Sequence, residues 1–219
     1  MQHSTCDRPS VIFLDAAGTL FGVQGSVGYQ YAKIAQEFGV DLPADDLNHA
    51  FFKTFKATTP PAFSAINPEE LRYFEYHWWM DIAIQTFQQV DAFDLFPDFN
   101  KFFAVLYDYF ATAEPWFVYP DVLDSLKRWQ QLGIPLGILS NFDSRIFPVV
   151  RSLGLEPYFS SVTISSEAGV AKPDPHIFHI ALEKHQATAD SAWHIGDSFE
   201  EDYQAACAAG LRGIWLRRK

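Results

Sequence analysis

The sequence predicts an α/β fold in which a parallel sheet carries an inserted block of helices. Two observations predict this class. Short apolar runs alternate with helical segments after Pro115, and a similar apolar run, Val11–Leu14, lies near the start, separated from the others by a long helical segment. Strands that alternate with helices in this way pair in parallel through right-handed crossovers. We therefore assign residues 1–21 and 115–219 to the sheet domain and residues 22–114 to a helical cap.

The first strand is predicted at Val11–Leu14, because four consecutive apolar residues are typical of a buried parallel strand. The first helix of the insertion is predicted after Ser26 and before Gly39, which are suitable capping residues. Its apolar face is formed by Val27, Tyr31, Ile34, Ala35 and Phe38. Three further helices are predicted from Asp45 to about Lys56, from Pro68 to about Val90, and from Asp98 to about Ala111.

The second part of the sheet domain alternates between the two kinds of element. Strands are predicted at Pro135–Leu139, Val162–Ile164, Ala192–Ile195 and Gly213–Leu216. Helices are predicted at Val122–Gln131, up to Leu153, from the Pro173-Asp174-Pro175 turn to about His185, and up to Gly210.

Composition limits the class of partner. The 219 residues include 27 acidic and 16 basic side chains and carry a formal net charge of -11, which argues against non-specific binding to nucleic acid or to an anionic membrane. The first ten residues are polar, and no apolar run approaches the ~18 residues of a membrane span. The two cysteines, Cys6 and Cys207, form no disulfide framework. We expect a cytoplasmic protein with no obligate protein partner.

Polar residues follow three of the predicted strands. They are Asp15, the pair Ser140-Asn141 and the pair Gly196-Asp197, and Lys172 lies in a loop after a fourth strand. Since parallel strands end at one edge of the sheet, these side chains are expected to meet there. Carboxylates, an ammonium group and a hydroxyl suit a divalent cation and a phosphate. Taken singly, each residue is also consistent with a strand-end turn, a helix cap or a solvated loop lysine.

The four segments together resemble the motifs of the haloacid dehalogenase-like hydrolases. Asp15-Ala16-Ala17-Gly18-Thr19-Leu20 is similar to the first motif, Asp-x-Asp-Gly-Thr-Leu. Leu139-Ser140-Asn141, Lys172-Pro173 and the Gly196-Asp197 to Asp202 segment are similar to the second, third and fourth. The resemblance implies a Rossmann-like core with an inserted four-helix cap of the C1 type. The segment Arg72–Thr86, with Trp78-Trp79, resembles the subfamily named for a rhythmically expressed fly gene.

This resemblance implies the chemistry of each site residue. Asp15 is the nucleophile that forms an aspartyl-phosphate with a small phosphorylated substrate, and Lys172 assists it. Mg²⁺ is the implied cofactor, held by Asp15, Asp197 and the carbonyl of Ala17. The implied phosphate-binding residues are Ser140, Asn141, Lys172, Ala16 and Ala17. The implied supporting residues are Thr19 and Asp202.

Position 17 departs from the family pattern, because phosphatases carry a second Asp where this chain has Ala17. That Asp protonates the leaving group and later activates water, and loss of a general acid–base group typically costs roughly 10²–10⁴ in rate. Three interpretations stay open. The first is a phosphatase that uses another group, the second a hydrolase whose leaving group needs no acid at that position, and the third a non-catalytic protein that binds a phosphorylated ligand.

The second interpretation has a concrete precedent. Asp-x-Ala-Gly-Thr resembles the first motif of the phosphonoacetaldehyde hydrolases, which use a lysine of the cap as a Schiff base, and Lys33, Lys53 and Lys56 lie in the insertion. The 2-haloacid dehalogenases, with Asp-x-Tyr-Gly-Thr, are a weaker match.

The aromatic residues of the insertion are expected to form mainly its core.

Overall fold

A computed structural model describes residues 8–65 and 67–218 of the chain, so that Cys6 lies outside the described residues. The strands are β1 (Val11–Leu14), β2 (Phe21–Val23), β3 (Trp116–Val118), β4 (Leu136–Ser140), β5 (Ser161–Ile164), β6 (Ala192–Gly196) and β7 (Arg212–Trp215). Five of them form a sheet in the order β5-β4-β1-β6-β7, and every neighbouring pair in it is parallel. The α/β class with a parallel Rossmann-like core is therefore confirmed.

The helices follow the predicted order, with one short additional helix, Ser165–Ala168, that was not predicted. They are α1 (Val27–Glu37), α2 (Ala44–Ala57), α3 (Pro68–Gln89), α4 (Phe99–Tyr109), α5 (Val122–Gln131), α6 (Ile146–Ser152), α7 (Ser165–Ala168), α8 (Pro175–His185) and α9 (Ala205–Ala208). The Ser26 hydroxyl accepts a hydrogen bond from the amide of Tyr29 and caps α1 as expected. One prediction was wrong in form: the last helix begins as a π-helical turn, Phe199–Gln204, and only its end is α9.

The sequence also gave no indication of a second, two-stranded sheet. β2 and β3 pair antiparallel, with Phe21 opposite Val118, so the two chain segments that flank the helical insertion run side by side. Each of these strands has three residues. A segment this short has no alternation of apolar and polar residues to detect, and only its partner, distant in sequence, defines it.

Two apolar clusters cover the sheet, one on each face. β1 is completely buried because it is the central strand, with Ile12 and Leu14 in one cluster and Val11 and Phe13 in the other. The helices α1 to α4 contain a third cluster, built largely from phenylalanines that include Phe87 and Phe102. No helix in the described part of the chain is both long and apolar enough to cross a bilayer.

Candidate active site

The carboxyl edge of the sheet brings the predicted side chains together. Asp15 follows β1, Ser140 and Asn141 lie at the end of β4, and Asp197 follows β6. The register places Leu14 opposite both Ile138 and Ile195, so the strands on either side of β1 end at nearly the same level. Because all three strands run in the same direction, their terminal polar residues surround one crevice, as expected for this sheet type.

Lys172 is the centre of the charge network. Its Nζ donates to Oδ1 of Asp15 at 2.8 Å and to Oδ1 of Asp202 at 2.5 Å. Burial alone would lower the pKa of Lys172, but the two carboxylates outweigh it and raise the pKa above its usual range, so the ammonium stays charged. One buried positive charge is thus shared by two buried carboxylates.

The two carboxylates differ in how well they are supported. Asp202 also accepts hydrogen bonds from Nε2 of His194, at 2.9 Å, and from the amide of Ser198, at 2.9 Å. Burial raises the pKa of Asp202, but Lys172 and His194 outweigh this effect and hold the pKa well below its usual range. At Asp15, burial raises the pKa more than Lys172 lowers it. The nucleophile candidate therefore lacks sufficient positive charge from the protein alone.

The donor set fits a divalent cation. One carboxylate oxygen from each of Asp15, Asp197 and Asp202 lies within 4.8 Å of the others. Partial removal from water, followed by the charges of Asp15 and Asp202, raises the pKa of Asp197 to about 6. Such crowding of anions favours a hard cation such as Mg²⁺, which takes oxygen ligands. Lys172, His194 and Ser198 already donate to Asp202, which favours the supporting role predicted for this residue over a role as a ligand.

A glycine makes room for the Asp197 carboxylate. Gly18 has φ +90°, and a Cβ added there would lie 2.5 Å from Oδ2 of Asp197. Any larger residue would therefore displace this carboxylate, and L residues also avoid this backbone conformation. The Thr19 hydroxyl donates to Oδ1 of Asp197 at 3.2 Å, and the supporting role of Thr19 stays a prediction. Ala17 is exposed beside this turn, and its methyl group can neither give nor take a proton.

Asn141 holds the lysine loop against β4. Its Nδ2 donates to the carbonyl of Lys172 at 2.9 Å and to Oε2 of Glu201 at 3.2 Å, and its Oδ1 accepts from the amide of Lys172 at 2.8 Å. The Ser140 hydroxyl hydrogen-bonds to Asp15 and lowers its pKa. These contacts show that both residues help to hold Asp15 and Lys172 in place. Their binding to phosphate stays a prediction, as does that of Ala16 and Ala17.

Sequence reasoning missed His194 and Glu201. His194 is fully buried in β6, and a polar residue inside an otherwise apolar strand was a signal available in the sequence. Glu201 offered no comparable signal, because it lies among three consecutive acidic residues that read as an exposed helix start. Its position beside Asn141 depends on the π-helical turn.

A buried polar junction between α3 and the loop after β4 was also missed. Nε1 of Trp79 donates to Oδ2 of Asp143 at 2.7 Å, and Nη2 of Arg145 pairs with the same oxygen at 2.7 Å. Glu75 accepts hydrogen bonds from the amide and hydroxyl of Ser144. This junction attaches the helical insertion directly to the loop that follows Ser140 and Asn141.

The candidate Schiff-base lysines of the insertion lie on its surface. Nζ of Lys33 donates to the hydroxyl of Tyr109 at 3.1 Å and pairs with Glu114 at 3.9 Å. These contacts raise the pKa of Lys33, whereas an amine nucleophile needs a lowered pKa. Lys53 and Lys56 are exposed on α2. No contact of these three residues favours a covalent role.

Comparison with known proteins identifies the family of the chain. The profile of the haloacid dehalogenase-like hydrolase family matches residues 9–210. Haloacid dehalogenase-like hydrolase domain-containing protein 3 of Danio rerio is 35% identical over 211 residues, covering 95% of this chain and 85% of that protein. The rhythmically expressed gene 2 protein of Drosophila melanogaster is 26% identical over 227 residues, covering 97% and 84%.

Solved structures support the same fold. A phosphatase of this superfamily from Thermococcus onnurineus has a TM-score of 0.63 and 21% identity, covering 95% of this chain and 86% of its own. The L-2-haloacid dehalogenase from Xanthobacter autotrophicus has a TM-score of 0.67 and 18% identity, covering 93% and 75%. The chain belongs to the haloacid dehalogenase-like hydrolase family. Of the two solved structures, one is that of a phosphatase and the other that of a dehalogenase.

Proposed function

We propose that the protein is a Mg²⁺-dependent phosphatase of a small phosphorylated metabolite that acts through an aspartyl-phosphate on Asp15. The observation that carries this proposal is the pairing of the Asp15 carboxylate with the buried Lys172 ammonium, at 2.8 Å, beside the second acidic group of Asp197. This arrangement combines a fixed nucleophile, a permanent positive charge and a cation site. Phosphoryl transfer depends mainly on such positioning and charge stabilisation.

The reaction follows from these positions. An oxygen of Asp15 forms a bond to phosphorus while the ester oxygen departs, and water then attacks phosphorus and releases both Asp15 and inorganic phosphate. Lys172 orients Asp15 and balances charge that develops on the phosphoryl oxygens. Asp15, Asp197 and the carbonyl of Ala17 would hold Mg²⁺, which supplies charge stabilisation when bound. A cytoplasmic location belongs to this proposal, because the expected substrate is a soluble metabolite.

The test uses p-nitrophenyl phosphate, whose phenolate departs without an acid. We expect turnover that requires Mg²⁺ and that falls on the order of 10³-fold or more in Asp15→Asn, because the nucleophile is lost. A matched control is Asp124→Asn, which changes an exposed carboxylate on α5 and should keep full activity. Turnover that survives in Asp15→Asn would contradict the proposal.

Ala17 supports a second candidate function, the binding of a phosphorylated ligand without turnover. This residue removes the usual acid–base group but leaves the charge network of Lys172 intact. Absence of turnover with p-nitrophenyl phosphate and with a panel of phosphorylated metabolites, together with retained binding of inorganic phosphate, would favour the binder.

A further inference from the structure

A second acidic side chain of the π-helical turn reaches the site. Glu201 and Asp202 are consecutive, yet Asp202 is buried against Lys172 while the half-buried Glu201 contacts Asn141. A π-helical turn holds more residues than an α-helical turn, so neighbouring side chains can point toward the same edge. Such turns occur frequently at functional sites. The Glu201 carboxyl thereby lies one hydrogen bond from Asn141, the residue that holds the lysine loop.

The other carboxylates of the site already have defined tasks. Asp202 is held by three donors, Asp15 is the proposed nucleophile, and Asp197 is a proposed cation ligand. Glu201 accepts one hydrogen bond from a described side chain, that of Asn141 at 3.2 Å, through Oε2. Among the carboxyl groups of the described site, Glu201 is therefore the one that forms no salt bridge and is neither the proposed nucleophile nor a proposed cation ligand.

The surroundings of Glu201 raise the pKa of its carboxyl group. Burial is the largest cause, and the charges of Asp202 and Asp15 act in the same direction, whereas Lys172 and the hydrogen bond from Asn141 act against it. A bound phosphate ester would bring a further negative charge to the same crevice. A carboxyl that holds its proton beside an anion can donate that proton to a leaving oxygen.

We propose that Glu201 is the general acid and base that replaces the carboxyl missing at position 17, an inference that rests on the proposed phosphatase function. As the bond from Asp15 to phosphorus forms and the ester bond breaks, the leaving oxygen takes the proton of Glu201 and departs as an alcohol. The Glu201 carboxylate then takes a proton from water while the water oxygen bonds to phosphorus. Inorganic phosphate leaves Asp15, and Glu201 is again protonated.

The dependence of the rate on the leaving group tests this role. The variant Glu201→Gln keeps an oxygen for the Asn141 hydrogen bond but has no proton to donate. Its kcat/KM for an alkyl ester such as glycerol 1-phosphate should fall roughly 10²–10⁴-fold. Its kcat/KM for p-nitrophenyl phosphate should fall on the order of tenfold or less. This ratio is informative because kcat/KM reports the step in which the leaving group departs. Glu200→Gln is the matched control, because Glu200 is the exposed neighbour, and it should leave both substrates unaffected.

A rescue variant sharpens the result. Adding Ala17→Asp to Glu201→Gln should restore turnover of the alkyl ester, because a carboxyl returns to the site. Equal losses on both esters in Glu201→Gln would indicate a merely structural role and overturn the inference, as would a wild-type protein that cleaves the aryl ester but not the alkyl ester. A wild-type protein that cleaves neither ester would instead refute the proposed phosphatase function itself.

Discussion

At the scale of single residues, the site without a cation carries more negative charge than Lys172 can balance. The positive charge and hydrogen-bond donors around Asp202 hold its pKa below the usual range. The pKa of Asp197 is instead raised to about 6 by partial removal from water and by its acidic neighbours. A carboxylate must lose its proton before it binds a metal ion. Cation binding and protonation therefore compete at Asp197.

This competition predicts the pH dependence of Mg²⁺ binding. Below pH 6 Asp197 holds its proton, so the affinity for Mg²⁺ should weaken by about tenfold for each pH unit toward pH 5 and level off above pH 7. Calorimetric titration with Mg²⁺ at several pH values between 5 and 7.5 measures this affinity. Asp197→Asn should bind weakly at every pH, whereas Asp190→Asn, at the opposite end of β6, should behave like the wild type. An affinity that stays constant over this range would contradict the prediction.

Asp15, Ser140 and Asp197 could be predicted because each lies at or directly after the end of a strand, β1, β4 or β6, and an apolar run that stops at a polar residue marks such an end. His194 carried a weaker signal, as a polar residue inside an apolar strand, but its partner Asp202 could not be read from that signal. Glu201 carried none, because its contact with Asn141 joins segments that lie far apart in sequence.

At the scale of elements, the buried strands and long helices were predictable, and the short or irregular elements were not. β1, β4 and β6 are nearly continuous in apolar residues because both faces of the sheet are covered. The β2–β3 pair and the π-helical turn are instead determined by tertiary contacts. The same holds for the junction between α3 and the loop after β4, whose polar partners lie far apart in sequence.

That junction predicts different effects for two adjacent tryptophans. Trp79→Phe removes the donor to the buried Asp143 carboxylate, so the free energy of unfolding should fall by about 1–3 kcal/mol. Trp78→Phe removes a donor to the carbonyl of Thr59 in an exposed contact, where water replaces it, and should cost less than about 1 kcal/mol. Urea denaturation followed by far-ultraviolet circular dichroism gives both values. Equal losses would show that the Trp79 contact does not stabilise the junction.

At the scale of the whole molecule, the apolar clusters suggest two units of stability. Phe87 is fully buried among the aromatic residues of the helical insertion and stacks near Tyr31, whereas Phe178 is fully buried against the sheet. The insertion and the sheet meet through the polar junction, the β2–β3 pair and Phe110, which packs against Tyr31 on one side and Trp116 on the other. Interfaces between domains of one chain are commonly smaller and more polar than cores, so each unit can open separately.

Two equivalent substitutions test this division and the assignment of residues 22–114 to a separate cap. Phe87→Ala and Phe178→Ala each create a cavity that should cost about 3–5 kcal/mol, but in different units. Hydrogen exchange followed by mass spectrometry should show faster exchange of α1, α3 and α4 amides in Phe87→Ala, with β1, β4 and β6 little changed. Phe178→Ala should give the reverse pattern. If either substitution accelerates exchange equally in both units, cap and core unfold as one cooperative structure, and the carboxyl edge of the sheet depends on the cap for its stability.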